Sequence, residues 1–293
     1  MIKASLLWPA PAKLNLMLHI TARRDDGYHE LQTLFQFLDY GDSLEFSLRE
    51  DGQIQRISGN EDIPAEDDIV VKAARALQQQ YGVSDGVDIS IIKKLPIGAG
   101  LGGGSSNAAT TLHGLNRYWS LGLKTAELAE LGLTLGADVP IFVHGFAAFA
   151  EGVGEQLQKV ELDQPWYLVI TPHVSVSTAE IFAISELTRD CPAIKIADLL
   201  KARWENVCTP VVVKRHPEVA EALNALSEYS EPRMSGTGAS VFARFERYED
   251  AEDVLNKLTA AQLKNNWSMF IAKGLNESPL ATFLNEHSKR VED

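Results

Sequence analysis

Five of the seven residues at positions 98–104 are glycines, and this segment constrains the fold more than any other part of the sequence. It lies between a predicted strand, 87–92, and a predicted helix over 105–118. Glycines let backbone N–H groups approach a ligand without obstruction from Cβ, and the helix adds unpaired N–H groups and the positive end of its dipole. The segment therefore predicts an anion site, most often one for phosphate; a flexible turn is the alternative.

The glycine segment departs from the common phosphate-binding motifs. A P-loop needs Gly-Lys followed by Ser or Thr, and no Lys lies in the segment. Gly98, Gly100 and Gly103 satisfy the dinucleotide pattern Gly-x-Gly-x-x-Gly, but no strand ending in Asp or Glu follows about 20 residues later. A protein kinase would need Val-Ala-Ile-Lys and His-Arg-Asp, and the sequence contains neither. These three classes are therefore disfavoured.

The rest of the chain predicts an α+β protein with two domains. Strand-like patterns occur at 14–20, 33–38, 43–48, 87–92, 166–170, 241–245 and 267–272. Helical periodicity occurs at 68–81, 125–135, 217–229 and 249–263. This alternation suits two layered domains. The flexible segment Gly152-Val-Gly154 and the polar residues after it predict domains of residues 1–157 and 158–293.

Charge and composition limit the partners that the chain can have. Its 293 residues include 27 Lys and Arg and 40 Asp and Glu, a formal net charge of −13, which disfavours nucleic acid. No run of about 18 apolar residues predicts a membrane span, and the short N-terminal apolar segment is a poor signal peptide. Cys191 and Cys208 form no metal-binding pair and no disulfide framework. We therefore expect a cytoplasmic protein; the oligomeric state stays open.

Two charged residues stand out because their surroundings are apolar. Lys13 lies in Pro11-Ala-Lys-Leu-Asn-Leu16, and Asp138 lies in Leu135-Gly-Ala-Asp-Val-Pro-Ile141. Lysine is seldom buried without a partner, and a buried carboxylate also needs one. A Lys13–Asp138 pair would satisfy both groups and would be able to activate a hydroxyl. The alternative for Asp138 is a capping or turn residue.

Two loops supply further polar groups. Ser235-Gly-Thr-Gly-Ala-Ser240 precedes a predicted strand and, taken alone, is typical of an ordinary turn. Paired with the first glycine segment, it would close over a polyphosphate. Arg23-Arg-Asp-Asp-Gly-Tyr-His29 is a dense polar loop, for which a solvated turn is the alternative. The other histidines lack the spacing of metal ligands.

These elements, in this order, resemble the GHMP kinase superfamily. Its N-terminal Pro-x-x-Lys-x-Asn-like strand, its Pro-x-x-x-Gly-Leu-Gly-Ser-Ser-x-Ala loop and its late glycine loop correspond here to residues 11–15, 96–108 and 236–239. Arg-Asp-Asp-Gly-Tyr-His at 24–29, Gln-Thr-Leu-Phe-Gln at 32–36 and Leu-Gly-Ala-Asp-Val-Pro at 135–140 are similar to the members that phosphorylate a cytidine-diphosphate-linked methylerythritol in the non-mevalonate isoprenoid pathway. The resemblance covers about residues 9–279.

This resemblance implies a ribosomal-protein-S5-like N-terminal domain, a ferredoxin-like C-terminal domain and transfer of phosphate from ATP to the substrate's 2-hydroxyl, with Mg²⁺. Asp138 would be the general base, and Lys13 its electrostatic partner, which stabilises the developing alkoxide. The residues implied at the cytidine and methylerythritol end are Asn15, Tyr28, His29, Thr178 and Phe182. The Phe182 ring would stack on the cytosine.

The resemblance also implies a set of ATP contacts around the glycine segment. These are Lys93, Pro96, Gly98, Gly100, Gly102, Gly103, Gly104, Ser105, Ser106 and Asn107, with Gly236, Thr237 and Gly238 in the late glycine loop. Ser105 is the candidate Mg²⁺ ligand. The superfamily pattern has Asn-Leu where this chain has Asp68-Ile69, so a nucleotide contact of that Asn is not carried over.

Two other interpretations stay open at this point. A GHMP kinase for homoserine, mevalonate or a sugar would share the glycine loops, but the Tyr28-His29 pair favours a substrate that carries a nucleobase. An inactive nucleotide-binding protein with the same fold would not need Lys13 and Asp138.

Overall fold

One long strand, β2 (His29–Arg49), organises the sheet. The computed structural model describes residues 6–25, 27–201, 204–261 and 266–288. β2 pairs antiparallel with β1 (Trp8–Arg23), β4 (Gly86–Ile92), β5 (Ala148–Glu151) and β10 (Ser268–Leu275). The centre of β2 is buried without interruption, whereas its C-terminal part alternates between buried and exposed positions, as a half-buried strand does.

The strands join into a ten-stranded mixed sheet across the described residues. Its main order is β3-β4-β2-β10-β7-β9-β8; β1 and β5 also pair with β2, and β6 pairs with β5. The remaining bounds are β3 (Ile54–Ser58), β6 (Gln156–Lys159), β7 (Trp166–Thr171), β8 (Arg233–Met234) and β9 (Val241–Phe245). β3 and β4 are parallel, and the other pairs named here are antiparallel.

Helices from both halves of the chain pack against the strands of the sheet. Their bounds are α1 (Ile69–Tyr81), α2 (Gly103–Tyr118), α3 (Thr125–Leu135), α4 (Val139–His144), α5 (Thr178–Ala183), α6 (Thr209–Arg215), α7 (Pro217–Ser227), α8 (Tyr248–Ala261) and α9 (Pro279–Ser288). None of the helices in the described ranges has the length and apolarity needed to cross a membrane.

Three clusters of buried apolar side chains hold these layers together. The first lies between β1, β2, β4 and helices α1 to α4. The second lies between β7, β9 and helices α5 to α8. The third joins them, because Leu14 and Met17 of β1 share it with Phe149, Val169 and Phe270. The third cluster therefore contains buried residues from both halves of the chain.

The structure confirms most of the predicted elements and corrects their extent. The three strands predicted at 14–20, 33–38 and 43–48 are parts of only two strands, β1 and β2. β1 begins before its prolines, since Pro9 and Pro11 occupy its first residues, where a strand tolerates proline. Of the helix predicted at 249–263, residues 262 and 263 lie outside the described ranges, as does Asp26 of the polar loop.

Two further differences concern the middle of the chain. The apolar run after Asp138, for which the periodicity predicts no helix, forms the short helix α4. The flexible segment at 152–154 is the turn of the hairpin formed by β5 and β6. The boundary at 157/158 falls inside β6, and the division of the chain into two domains stays a prediction.

Candidate active site

The two glycine loops line the same cleft, which has a volume of about 580 Å³. Most of the predicted site residues line this cleft, although they come from distant parts of the sequence. They are Lys13, Asn15, Lys93, Pro96, Gly98, Gly100, Gly102, Gly103, Gly104, Ser105, Asp138, Thr178, Phe182, Gly236, Thr237 and Gly238.

The ammonium group of Lys13 is bound on three sides. It donates to the carbonyl oxygen of Gly100 (3.2 Å) and to Oδ1 of Asn15, and it lies 3.3 Å from Oδ2 of Asp138. Two of its three protons are therefore donated in hydrogen bonds, and the Asp138 carboxylate balances its charge. The Lys13 side chain is only 3% exposed, whereas that of Asp138 is 38% exposed. The structure therefore brings the two charged residues together and leaves the carboxylate open to the cleft.

Asp138 lies directly before helix α4, in the N-cap position. Its side chain makes no capping hydrogen bond there. The residue thus has the position of a cap, as the alternative interpretation of the sequence suggested, but its carboxylate is turned to Lys13. A carboxylate held in this way can accept a proton from a bound hydroxyl, because its other oxygen is not occupied by the helix.

A hydrogen-bond network ties the two glycine loops together beside this pair. Asn15 donates through Nδ2 to the hydroxyl of Thr33 (2.8 Å) and through its backbone N–H to the hydroxyl of Ser235 (3.1 Å). The Ser235 hydroxyl in turn donates to the carbonyl oxygen of Gly100 (2.8 Å), and the Ser240 N–H donates to Ala99 (3.0 Å). The late loop is therefore fixed against the first one.

The first glycine loop leads straight into helix α2. Gly102 has φ +74° and occupies the N-cap position, and α2 begins at Gly103, two residues earlier than predicted. The first hydrogen bond within the helix runs from Ser106 N–H to Gly102 (2.8 Å), so the preceding N–H groups have no partner inside the helix. Gly103, Gly104 and Ser105 line the cleft, so this end of α2 is placed as the predicted anion site requires.

Two of the predicted ATP contacts lie away from the cleft. Ser106 and Asn107 are fully buried and do not line the cleft, because the turn of the helix directs their side chains into the core. Neither the Ser106 hydroxyl nor the Asn107 amide has a hydrogen-bond partner in the part of the chain that the structure describes. The motif alone does not show which side of the helix each of its residues occupies.

Phe182 and Thr178 reach the cleft from helix α5. The Thr178 hydroxyl is 2.8 Å from that of Thr237, which joins α5 to the late glycine loop. The ring of His29 stacks on that of Phe182, with centroids 5.1 Å apart and an interplanar angle of 26°. His29 lies behind Phe182 and does not line the cleft; nor does Tyr28, which is 65% exposed.

Burial, together with the charges of Arg189 and Arg23, lowers the pKa of His29 below its ordinary value. At neutral pH this shift favours the uncharged ring. An uncharged imidazole stacks on an aromatic ring without the cost of removing a charge from water.

The wall opposite the late loop is formed by residues that sequence reasoning missed. Asn60, Ile63 and Asp67 line the cleft there, just before the helix predicted at 68–81, and Ile69 lines it from the start of that helix. The one sequence feature that pointed to this wall was Asp68, a polar residue at the start of a predicted helix. Asp68 also lines the cleft there.

The Asp68 carboxylate already accepts three hydrogen bonds. It caps α1 through Val70 N–H (3.0 Å) and accepts from Arg56 (2.9 Å) and from the Asn60 amide (2.8 Å). The side chains of Asp68 and Arg56 are 1% and 8% exposed. In this chain the residue that replaces the Asn of the superfamily pattern therefore forms a buried ion pair, which fixes the wall.

Lys93 is held at the edge of the cleft by a second missed residue. Its ammonium pairs with Asp42 of β2, whose carboxylate also accepts from the N–H groups of Lys94 (2.7 Å) and Leu95 (2.8 Å). Asp42 is buried, so it fixes the segment that leads into the first glycine loop. An acidic residue within a buried strand is the only trace of this role in the sequence.

The metal-ligating groups of the cleft are few. No cluster of three or more His, Cys, Asp or Glu side chains within the described ranges is able to hold a metal ion. Ser105 and Asp138 do line the cleft together.

Known proteins that resemble this chain agree on one family. The model of the GHMP kinases N terminal domain matches residues 68–146, and that of the GHMP kinases C terminal domain matches residues 192–265. The chain belongs to the GHMP kinase family. It is therefore an ATP-dependent small-molecule kinase, and the predicted fold class is confirmed.

Curated relatives that are clearly similar to the chain carry the name of one enzyme within this family. The chain is 55% identical to the 4-diphosphocytidyl-2-C-methyl-D-erythritol kinase of Pseudomonas savastanoi pv. phaseolicola, over 96% of each chain. It is also 55% identical to the enzyme of that name from Nitrosococcus oceani, over 94% of this chain and 96% of the relative.

Two solved structures match more than nine tenths of the chain. A crystal structure of 4-(cytidine 5'-diphospho)-2C-methyl-D-erythritol kinase has a TM-score of 0.78 and 28% identity, and the match covers 92% of this chain and 99% of that one. Homoserine kinase from Cytophaga hutchinsonii has a TM-score of 0.68 and 17% identity over 95% and 97% of the two chains. The second match shows a shared fold only.

The close approach of the two loops at Gly100 generates the first prediction. A Cβ at Gly100 would lie 2.2 Å from the carbonyl oxygen of Ser235, so Gly100→Ala must push the loops apart. Gly98→Ala is the matched control, because Gly98 also has a positive φ but a Cβ there meets nothing within 4 Å. We expect the control to lose about 1–2 kcal/mol of unfolding free energy through backbone strain alone, and Gly100→Ala to lose clearly more, as measured by urea denaturation. Equal losses would contradict the packing of the two loops.

Proposed function

We propose that this protein transfers the γ-phosphoryl group of ATP to the 2-hydroxyl of 4-diphosphocytidyl-2-C-methyl-D-erythritol, which gives the 2-phosphate and ADP in the non-mevalonate route to isoprenoids. The observation that carries this proposal is the Lys13–Asp138 ion pair, which lies beside the glycine loop in one cleft. The names of the relatives supply the substrate.

In the proposed reaction the oxygen of the substrate's 2-hydroxyl attacks the γ-phosphorus while Asp138 accepts the hydroxyl proton. The bond between the γ-phosphorus and the bridging oxygen of ADP breaks, and ADP leaves. The Lys13 ammonium is already held by two hydrogen bonds and by its ion pair with Asp138, so it does not need to reorient when negative charge develops on the attacking oxygen. Little covalent chemistry is required of the protein, since phosphoryl transfer depends mainly on positioning and on charge stabilisation.

The ATP phosphates would occupy the N-terminal end of α2. The backbone N–H groups of Gly103, Gly104 and Ser105 are suited to bind phosphate oxygens, and the helix dipole favours negative charge there. Lys93 and Pro96 would contact the nucleotide further out, with Gly98, Gly100 and Gly102 in the first loop. Gly236, Thr237 and Gly238 would close the opposite side.

The residues of the cleft fit a Mg²⁺ ion that is held chiefly by ATP. Mg²⁺ commonly takes one or two protein oxygens and completes its shell with phosphates and water. The Ser105 hydroxyl, the candidate ligand, is an oxygen donor of that kind in the cleft. When bound, the ion would neutralise charge on the phosphates.

The cytidine end would lie against helix α5. Phe182 presents a ring to the cleft that can stack on cytosine, and Thr178 and Asn15 supply polar groups beside it. His29, at the start of β2, would support Phe182 from behind, and the exposed Tyr28 beside it would have to approach the cleft to contact the base.

We place the activity in the cytoplasm, with a small cytidine diphosphate compound as the partner rather than a nucleic acid. Cys191 and Cys208 are both free thiols, as in a reducing compartment, and the net charge of −13 opposes binding to a phosphate backbone.

Substrate choice is the test of this function. ADP release from Mg-ATP would be measured with 4-diphosphocytidyl-2-C-methyl-D-erythritol, homoserine, mevalonate and galactose. We expect activity with the cytidine compound alone, because only this substrate has a base to place against Phe182. Activity with another alcohol would contradict the proposed substrate but would leave the proposed roles of Lys13 and Asp138 intact. ATP binding with no turnover of any of these alcohols would favour an inactive nucleotide-binding protein.

The role of Asp138 gives a separate prediction. Asp138→Asn keeps the size of the side chain and removes the base, so we expect turnover to fall about 10²–10⁴-fold. The fold and substrate affinity should persist, as measured by thermal unfolding and by calorimetric titration. Asp67→Asn is the matched control, since Asp67 lies on the far wall of the same cleft and is ion-paired to Lys72. Near-native turnover of Asp138→Asn would remove this residue as the base.

A further inference from the structure

One arginine joins the two aromatic side chains at the proposed cytidine end. Arg189 donates through Nε to Nε2 of His29 (3.0 Å). Through its terminal nitrogens it donates to the carbonyl oxygens of Phe182 (2.9 Å), Ile184 (2.6 Å) and Leu187 (3.0 Å). Arg189 does not line the cleft, so it acts on a ligand only through these neighbours.

The carbonyl contacts fix the end of helix α5. A helix leaves its last carbonyl groups without partners, and α5 is only six residues long. The guanidinium group binds the carbonyls of Phe182 and Ile184 at this end, in the planar geometry that arginine imposes. The position of the Phe182 backbone therefore depends on Arg189.

The contact with His29 fixes the protonation of the imidazole. An arginine donates and never accepts, so Nε2 of His29 must carry a lone pair. The proton of the neutral ring then lies on Nδ1, because the hydrogen bond at one ring nitrogen determines the state of the other. The same contact holds the ring in its stack on Phe182.

We infer that Arg189 is a positioning residue for the pyrimidine nucleotide: it fixes His29 as the neutral Nδ1–H tautomer, stacked on Phe182, and so orders the base-binding end of the cleft before the ligand arrives. This inference rests on the proposed function in one respect, namely that the base lies against Phe182. A preordered site binds more tightly, because the ligand does not have to bear the entropy of ordering it.

The tautomer of His29 is the readout that a merely structural role would not change. Long-range ¹H–¹⁵N NMR spectra of the unliganded protein, with His29 assigned by His29→Gln, should show the Nδ1–H form. In Arg189→Met we expect a shift towards the Nε2–H form, which free histidine favours. Arg247→Met is the matched control, since Arg247 is exposed and paired with Asp250. An unchanged His29 tautomer in folded Arg189→Met would overturn the inference.

Binding and kinetics provide the second readout. In Arg189→Met we expect the KM for the cytidine substrate and the Kd for CDP to rise about 10–100-fold, while kcat and the KM for ATP change less than about threefold. In a His29→Ala background the same substitution should have a much smaller effect, because the two residues act through one contact. A full effect in that background would show that Arg189 acts through α5 alone and would overturn the role of the tautomer.

The outcomes separate this inference from the proposed function. If CDP binding and the tautomer respond as expected but the cytidine substrate is not phosphorylated, the proposed function fails and the positioning role stands. If the substrate is phosphorylated but neither readout responds, the positioning role fails alone. Should Arg189→Met not fold, Arg189→Lys serves in its place, since a single ammonium cannot reproduce the planar set of contacts; a native tautomer and native KM in that variant would contradict the inference.

Discussion

A buried ammonium group is the interaction on which the cleft depends. Removing a lysine from water costs several kcal/mol unless good partners compensate it. Lys13 finds its partners in Asn15, in the Gly100 carbonyl and in Asp138, which belong to β1, to the first glycine loop and to the start of α4. One charge therefore holds three distant segments at one point, and the carboxylate proposed as the base is fixed by the same contact.

The rest of the cleft is built outward from this point by hydrogen bonds rather than by apolar packing. Asn15 connects Lys13 to Thr33 and Ser235, so the late glycine loop is tied to the first one. On the far wall the buried ion pair of Arg56 and Asp68 fixes the segment before α1 in the same way. Such fixed polar groups suit phosphoryl transfer, because they need no reorganisation as charge develops.

The sequence predicted the chemically important residues better than it predicted the bounds of the strands and helices. The glycine segment, Lys13 and Asp138 could be singled out because glycines and isolated charges are conspicuous among apolar residues. The extent of β1 and β2 could not, because strand pairing rather than local sequence extends them. Helix α4 has only six residues, too few for a period of 3.6 to be visible.

Apart from the Lys13–Asp138 pair, the surroundings of individual side chains could not be predicted from the sequence. Ser106 and Asn107 belong to the glycine motif, yet the phase of α2 directs them into the core. Arg189 and His29 are 160 residues apart, and nothing local in either segment indicates that they meet. The pairing of Asp68 with Arg56 shows the same limit, since only the folded chain shows that three protein donors already bind this carboxylate.

The most direct measurement is a crystal structure with a non-hydrolysable ATP analogue and 4-diphosphocytidyl-2-C-methyl-D-erythritol bound together. If the cleft works as described, the 2-hydroxyl oxygen lies about 3 Å from an Asp138 carboxylate oxygen and in line with the γ-phosphorus. The Lys13 ammonium keeps its contact with Asp138 in that complex. A 2-hydroxyl that lies against a different acceptor, with Asp138 beyond hydrogen-bonding reach, would contradict the account.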